Sequence, residues 1–170
     1  MAITVYTLSG KVLTNSANDK WLQKKEEVGP GTYRLKVLDT GSHQASNYIA
    51  WNKLKINDAY PTVNSTLPTL TGGSNARGND NLNNLIDNSN STAWFMNVDN
   101  NDYIEFQADS VSTVWVIDGG AMTQPLYDSD FTVNIYKVIN GVETLIGTYA
   151  DTARSGKYHS GGITVECTDV

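Results

Sequence analysis

Histidine, cysteine and proline are scarce in this chain of 170 residues, which has two His, one Cys and four Pro. The single thiol, Cys167, excludes an internal disulfide and any cysteine-rich zinc site. With only His43 and His159, chemistries that rely on paired imidazoles have little material. No HExxH, GxSxG, GxGxxG or phosphate-loop sequence occurs, so the motifs of metalloproteases, serine hydrolases and nucleotide sites are missing. No run approaches the roughly 20 apolar residues of a membrane-spanning helix. Met1-Ala2-Ile3-Thr4-Val5 enters an alternating pattern at once, without the basic and apolar regions of a secretory signal. On that reading the chain works where it is made, leaves with a larger assembly, or is a piece of a longer protein. These absences point to a binding or structural protein and not to an enzyme. Carboxylate catalysis, which needs no motif, is the reaction class they leave open.

Positive charge is scarce too, and unevenly placed. The chain is 39% hydrophobic and 18% charged, with a formal charge of −6. That balance argues against a binder of nucleic-acid phosphates, which gathers Lys and Arg on one face. Residues 1–60 hold eight basic against five acidic side chains, whereas residues 78–153 hold Lys137 alone against eleven. An acidic face of this kind meets solvent, a divalent cation or a basic partner. The basic N-terminal segment is correspondingly expected to dock on an acidic neighbour, through a salt-sensitive interface.

What the chain has in quantity is turn chemistry: 14 Gly, with many Asn, Ser, Thr and Asp, cut it into short segments. Alternation predicts strands at Ile3–Leu8, Tyr33–Leu38, Tyr48–Ile56, Asp102–Gln107, Ser112–Ile117, Phe131–Val138, Glu143–Tyr149 and Ile163–Cys167. Asn140-Gly141 separates two of them and predicts a hairpin, because both residues tolerate positive φ. One short helix is expected over Asp19–Val28, capped by Asn18 or Asp19 and stopped by Gly29-Pro30. A further helical turn is expected within Asn81–Ile86, and residues 61–80 read as a loop or linker. The first 60 residues are too few for a core of their own, so they are expected to complete one sandwich with residues 81–170, as a single domain over 1–170.

The most informative segment is Leu85-Ile86-Asp87-Asn88-Ser89-Asn90-Ser91-Thr92-Ala93-Trp94, followed by Asp102-Tyr103-Ile104-Glu105-Phe106. It resembles the discoidin (coagulation factor type C) domains and related carbohydrate-binding modules of the galactose-binding-like β-sandwich. Their signature runs from an apolar pair through Asp-Gly-Asn to Thr and Trp; Asn88 stands here for the Gly and Ser89 for the Asn. Thr32–Val37 and Tyr48–Ile56 resemble the family's closing strand pair, placed before its opening segment, as in a circular permutation. The implied fold is all-β, a jelly-roll-like antiparallel sandwich of the galactose-binding type. The resemblance also implies a structural calcium held by Asp87, Thr92 and carbonyls of Leu85 and Ser89. The family's Glu that helps close that site aligns with Lys53, which would replace the cation by an ion pair with Asp87. Failing both, Asp87 and Thr92 brace the turn by hydrogen bonds.

Trp51, Trp94 and Trp115 are expected in the core. His43, Tyr127, Arg154, Tyr158 and His159, all in expected loops, are the candidates for a ligand rim such as related modules use for sugars. The functional expectation is a non-catalytic structural or adhesive protein on the surface of an assembly, such as a phage capsid decoration or tail-associated protein. It would act in the virion, with other virion proteins, glycans or a second copy of itself as partners, and without nucleic acid or membrane insertion. The alternative is an extracellular carbohydrate-binding module of a larger enzyme or adhesin.

Overall fold

The computed structural model describes residues 5–8, 11–15, 21–25, 29–39, 48–75, 81–97, 101–118, 131–151 and 161–170. The chain divides into two units, Met1–Pro30 and Gly31–Val170. In the first, β1 (Val5–Leu8), β2 (Lys11–Asn15) and β3 (Trp21–Lys25) form a three-stranded antiparallel sheet in that order. The expected helix over Asp19–Val28 is therefore corrected to a strand. A ten-residue helix is marginal on its own, and pairing of Lys11–Asn15 with Trp21–Lys25 gives the same backbone groups partners in a sheet. Among the described residues these three strands pair with one another in a sheet of their own.

The second unit is the sandwich. Its strands are β4 (Gly31–Asp39), β5 (Tyr48–Ile56), β6 (Thr69–Ser74), β7 (Trp94–Asn97), β8 (Tyr103–Ala108), β9 (Thr113–Asp118), β10 (Phe131–Ile139), β11 (Val142–Asp151) and β12 (Ile163–Glu166). One sheet has the order β11-β10-β4-β8-β6 and the other β12-β9-β5-β7, with antiparallel pairing throughout. Apart from the β10–β11 hairpin, successive strands alternate between the sheets. The hairpin turns at Asn140 and Gly141, both at positive φ (52° and 79°), as their residue types predict. The Tyr33–Ile56 pair is central, since β4 lies between β10 and β8 and β5 between β9 and β7. Residues 61–80 are not wholly a linker: Thr69–Ser74 forms the edge strand beside β8.

Alternation places the core. Tyr33, Leu35 and Val37 of β4, Ile104 and Phe106 of β8, and Val133 and Ile135 of β10 turn inward from the larger sheet. Trp51, Leu54, Ile56, Trp94, Met96, Val114, Val116, Ile163 and Val165 meet them from the smaller one. Strict alternation along β5 would set Trp51 on the same side as Lys53 and Lys55. A register shift between Trp51 and Lys53 changes the phase, so Ile49, Trp51, Leu54 and Ile56 all reach the core. Trp51 and Trp94 are buried as expected, but Trp115 is not a core residue. It lies between the buried Val114 and Val116, and period two turns it to the outer face.

Candidate functional site

The segment that carried the resemblance forms a short 3₁₀ turn, Leu82–Leu85, capped by the Asn81 side chain, and then the loop leading into β7. Leu85 is fully buried and anchors the loop to the core. Asp87 holds the loop with both carboxylate oxygens: Oδ1 accepts from the Ser89 amide (2.8 Å) and Oδ2 from the Thr92 hydroxyl (2.6 Å). The Ser91 amide donates to the Ser89 hydroxyl oxygen (3.0 Å), and the Asn52 and Asn84 side chains reach from outside to the carbonyls of Thr92 and Ala93. Asn88 sits at φ 57°, a left-handed conformation that Gly or Asn adopts at least cost. Of the four residues expected around a cation, Asp87, Ser89 and Thr92 are joined by these bonds, and Leu85, expected there through its carbonyl, precedes them with its side chain in the core. Lys53 makes no ion pair with Asp87, so the anticipated replacement of cation by lysine is corrected: the partners of Asp87 are an amide and a hydroxyl. Among the described residues no group of three or more His, Cys, Asp or Glu is placed to hold a metal.

His43, Tyr127, Arg154, Tyr158 and His159 lie outside the described residues. The aromatic surface within them is one that sequence reasoning missed. On the outer face of the smaller sheet, Trp115 of β9 stands opposite Lys55 of β5. Its indole N–H donates to the Gly161 carbonyl (3.0 Å), which fixes the ring. Past β5, Asn57 and Asp58 occupy left-handed conformations (φ 49° and 63°) and fold the chain back, so that Ile56 pairs with Ala59 and Tyr60 comes beside Lys55. The Lys55 ammonium lies 5.0 Å from the Tyr60 ring centre and 5.2 Å from that of Trp115. The signal was legible: valines on both sides of Trp115 claim the core face, and Lys55 marks the opposite face of its partner strand.

The outer face of the larger sheet carries a closed charge network. Arg34 pairs with Glu105 and Glu143 at 2.9 Å each, and Lys36 with Glu143 at 2.7 Å. Burial alone would raise the Glu143 carboxyl, but the hydrogen bonds from Lys36 and Arg34 outweigh it and hold the group below the usual carboxylate range. The Arg34 guanidinium also lies over the Tyr103 ring, 4.4 Å from its centre. At one end of the sandwich, a pocket of about 270 Å³ is lined by Ile56, Asn57, Ala59, Leu67, Pro68, Ala108, Asp109 and Ser110. That is below the roughly 300 Å³ at which ligand pockets begin to enclose a drug-sized molecule. Compared with protein-family models, curated proteins and solved structures, the chain has no match.

Proposed function

We propose that this chain is a non-catalytic adhesive protein displayed on the outside of an assembly, of the kind a bacteriophage carries as a capsid decoration or on its tail. The observation that carries the reading is how its carboxylates are used. Asp87, Asp102, Glu105, Glu143 and Asp169 are each bound by hydroxyl, amide or cationic groups that brace the fold. Charges spent in this way hold a shape and are not poised for proton transfer. The β10–β11 hairpin supports the assembly part of the reading, because Ile139, Val142 and Leu145 are 43%, 65% and 50% exposed there, an apolar edge suited to a neighbouring subunit. Size-exclusion chromatography with light scattering over a salt series is expected to show salt-sensitive association. A monomer indifferent to salt would count against the assembly role. Capsid or tail genes beside this one would support the virion setting, whereas neighbouring genes for polysaccharide-degrading enzymes would favour an extracellular carbohydrate-binding module.

The galactose-binding type of sandwich belongs to the same proposal. Asn88 in the left-handed region, where the discoidin pattern has Gly, supports it, and so does the central place of β4 and β5. The Asp87 loop is read as a hydrogen-bonded brace and not as a calcium cradle. Calcium would have to compete for the Asp87 oxygens with the Ser89 amide and the Thr92 hydroxyl, and for the Thr92 carbonyl with Asn52. Lys53, where the resemblance has Glu, adds no carboxylate. The expected outcome is one melting midpoint in millimolar calcium and in chelator, by circular dichroism. A midpoint that rises with calcium would put a cation in the loop.

A further inference from the structure

Five cationic side chains are described in the sandwich, and they divide cleanly. Arg34, Lys36 and Lys137 are each in an ion pair. Lys53 and Lys55 are in none among the described residues, and both stand on the outer face of the smaller sheet, in register with Ile117 and Trp115. This sets two lysines without an ion pair among the described residues beside two aromatic rings. Beyond the turn residue Asp58, the described carboxylate of this face is Glu166, across the sheet on β12 and opposite Thr113.

The row Tyr60, Lys55, Trp115 has a definite shape. The Lys55 ammonium, 5.0 Å from one ring centre and 5.2 Å from the other, keeps the two rings no more than about 10 Å apart. Tyr60 is 42% exposed, Trp115 is held by its bond to Gly161, and Lys55 has no carboxylate partner among the described residues. A flat ring with an apolar C–H face and a carboxylate at its edge matches each part of this surface. The C–H face rests on an aromatic ring, and the carboxylate reaches the ammonium. A peptide carboxylate matches the lysine but leaves both rings unused.

We propose that Tyr60, Lys55 and Trp115 form a binding site for an acidic polysaccharide. Sugar rings of one chain rest on the two aromatic side chains, a sugar carboxylate bonds to Lys55, and Lys53 adds long-range attraction. This assignment rests on the reading of the protein as a non-catalytic surface binder and names the ligand class that reading requires.

The test is isothermal titration of the full chain with three probes: an oligogalacturonate, an oligosialate and an oligomannuronate. At least one is expected to bind, to weaken tenfold or more when its carboxylates are methyl-esterified, and to weaken by as much with Lys55→Gln or Tyr60→Ala. Both positions are at the surface, and circular dichroism melts would establish that the variants fold. Lack of binding by all three probes overturns the proposal. Binding that both variants leave unchanged overturns this site while sparing the adhesive reading. Polyglutamate bound as tightly as the sugars overturns the glycan assignment, because charge alone would then explain the attraction. Cleavage of a probe on prolonged incubation would instead overturn the non-catalytic reading and leave the site in place.

Discussion

Asp169→Ala is expected to lower the unfolding free energy by about 3 kcal/mol, measured by urea denaturation at pH 7 with an unchanged m-value. Few side chains in the sandwich join so many strands. The Tyr33 hydroxyl of the central strand β4 donates to Asp169 Oδ2 (2.7 Å), and the Val111 amide, ahead of β9, donates to the same oxygen (2.9 Å). Lys137 of β10 reaches Oδ1 (2.7 Å), and the same ammonium donates to the Val170 carbonyl. Beside this cluster, the Cys167 amide donates to the Ser112 carbonyl and the Thr168 amide to that of Ile146, each at 2.8 Å, so the segment after β12 ties β11 to the entrance of β9. Alanine would leave the fully buried Tyr33 without its acceptor and Lys137 without its counter-ion. Asp169→Asn keeps an acceptor oxygen but not the charge, and is expected to lose roughly half as much. A loss below about 0.5 kcal/mol for the alanine variant would mean that water replaces the latch at no cost.

The same cluster sets the dependence on pH. Burial would raise the Asp169 carboxyl, but hydrogen bonds from Lys137, Tyr33 and the Val111 amide outweigh it and hold the group below its ordinary range. A carboxyl depressed in the folded state stabilises above its unfolded value, near pH 4, and loses that contribution as pH falls through the folded value. Glu143 acts in the same direction. At the alkaline end the signs reverse. Burial first, then the bond to Asp169, pushes the Tyr33 hydroxyl up, and burial first, then Asp169 and Glu166, pushes the Cys167 thiol from 9.0 to about 11. Raised groups stabilise below their unfolded values and lose that stabilisation as pH climbs; for Cys167 the window is pH 9 to 11. Asp169→Ala is therefore expected to flatten the stability profile on both flanks.

Strands announced by strict alternation were legible before any coordinates. Tyr33, Leu35 and Val37 face inward and Arg34 and Lys36 outward along β4, as period two requires. The Asn140-Gly141 hairpin was equally plain, because two residues that tolerate positive φ stood between two apolar runs. Other features depend on partners that no local pattern names. Trp21–Lys25 reads as a helix until Lys11–Asn15 is there to pair with it. The shift at Asn52 in β5 appears only when β9 fixes the register. The candidate site divides in the same way. The Asp87 loop was visible because the bonds that Asp87 and Ser89 make span five residues or fewer, whereas the Asn52 bond to the Thr92 carbonyl comes from 40 residues away and was not. The row Tyr60, Lys55, Trp115 was not visible as a row, because it joins positions 60 residues apart through sheet register.

Gly72-Gly73, with Pro61, Pro68 and many Thr and Ser, makes residues 61–80 read as a loop or linker, and within β6 the two glycines have opposite roles. A Cβ at Gly72 would meet nothing within 4 Å. At Gly73 it would lie 2.5 Å from the Tyr103 carbonyl oxygen and 2.6 Å from the ring of Trp94, a buried tryptophan of the opposite sheet. Neither neighbour is free to give way, since Tyr103 pairs with Ser74 in the ladder between β6 and β8, and Trp94 sits within the core beside Trp51. Gly73→Ala is therefore expected to cost about 2 to 3 kcal/mol, as overpacking does. Gly72→Ala, with room for its methyl, is expected to be neutral or to stabilise by roughly 0.5 kcal/mol through the unfolded chain. Urea denaturation of the pair checks this, and tryptophan fluorescence reports whether the Trp94 ring is displaced. Similar costs for the two variants would mean that β6 lies farther from Trp94 than these distances state. A large difference would show that the second glycine is there for the approach of the tryptophan and not for flexibility, which is why residue type alone misassigned the strand.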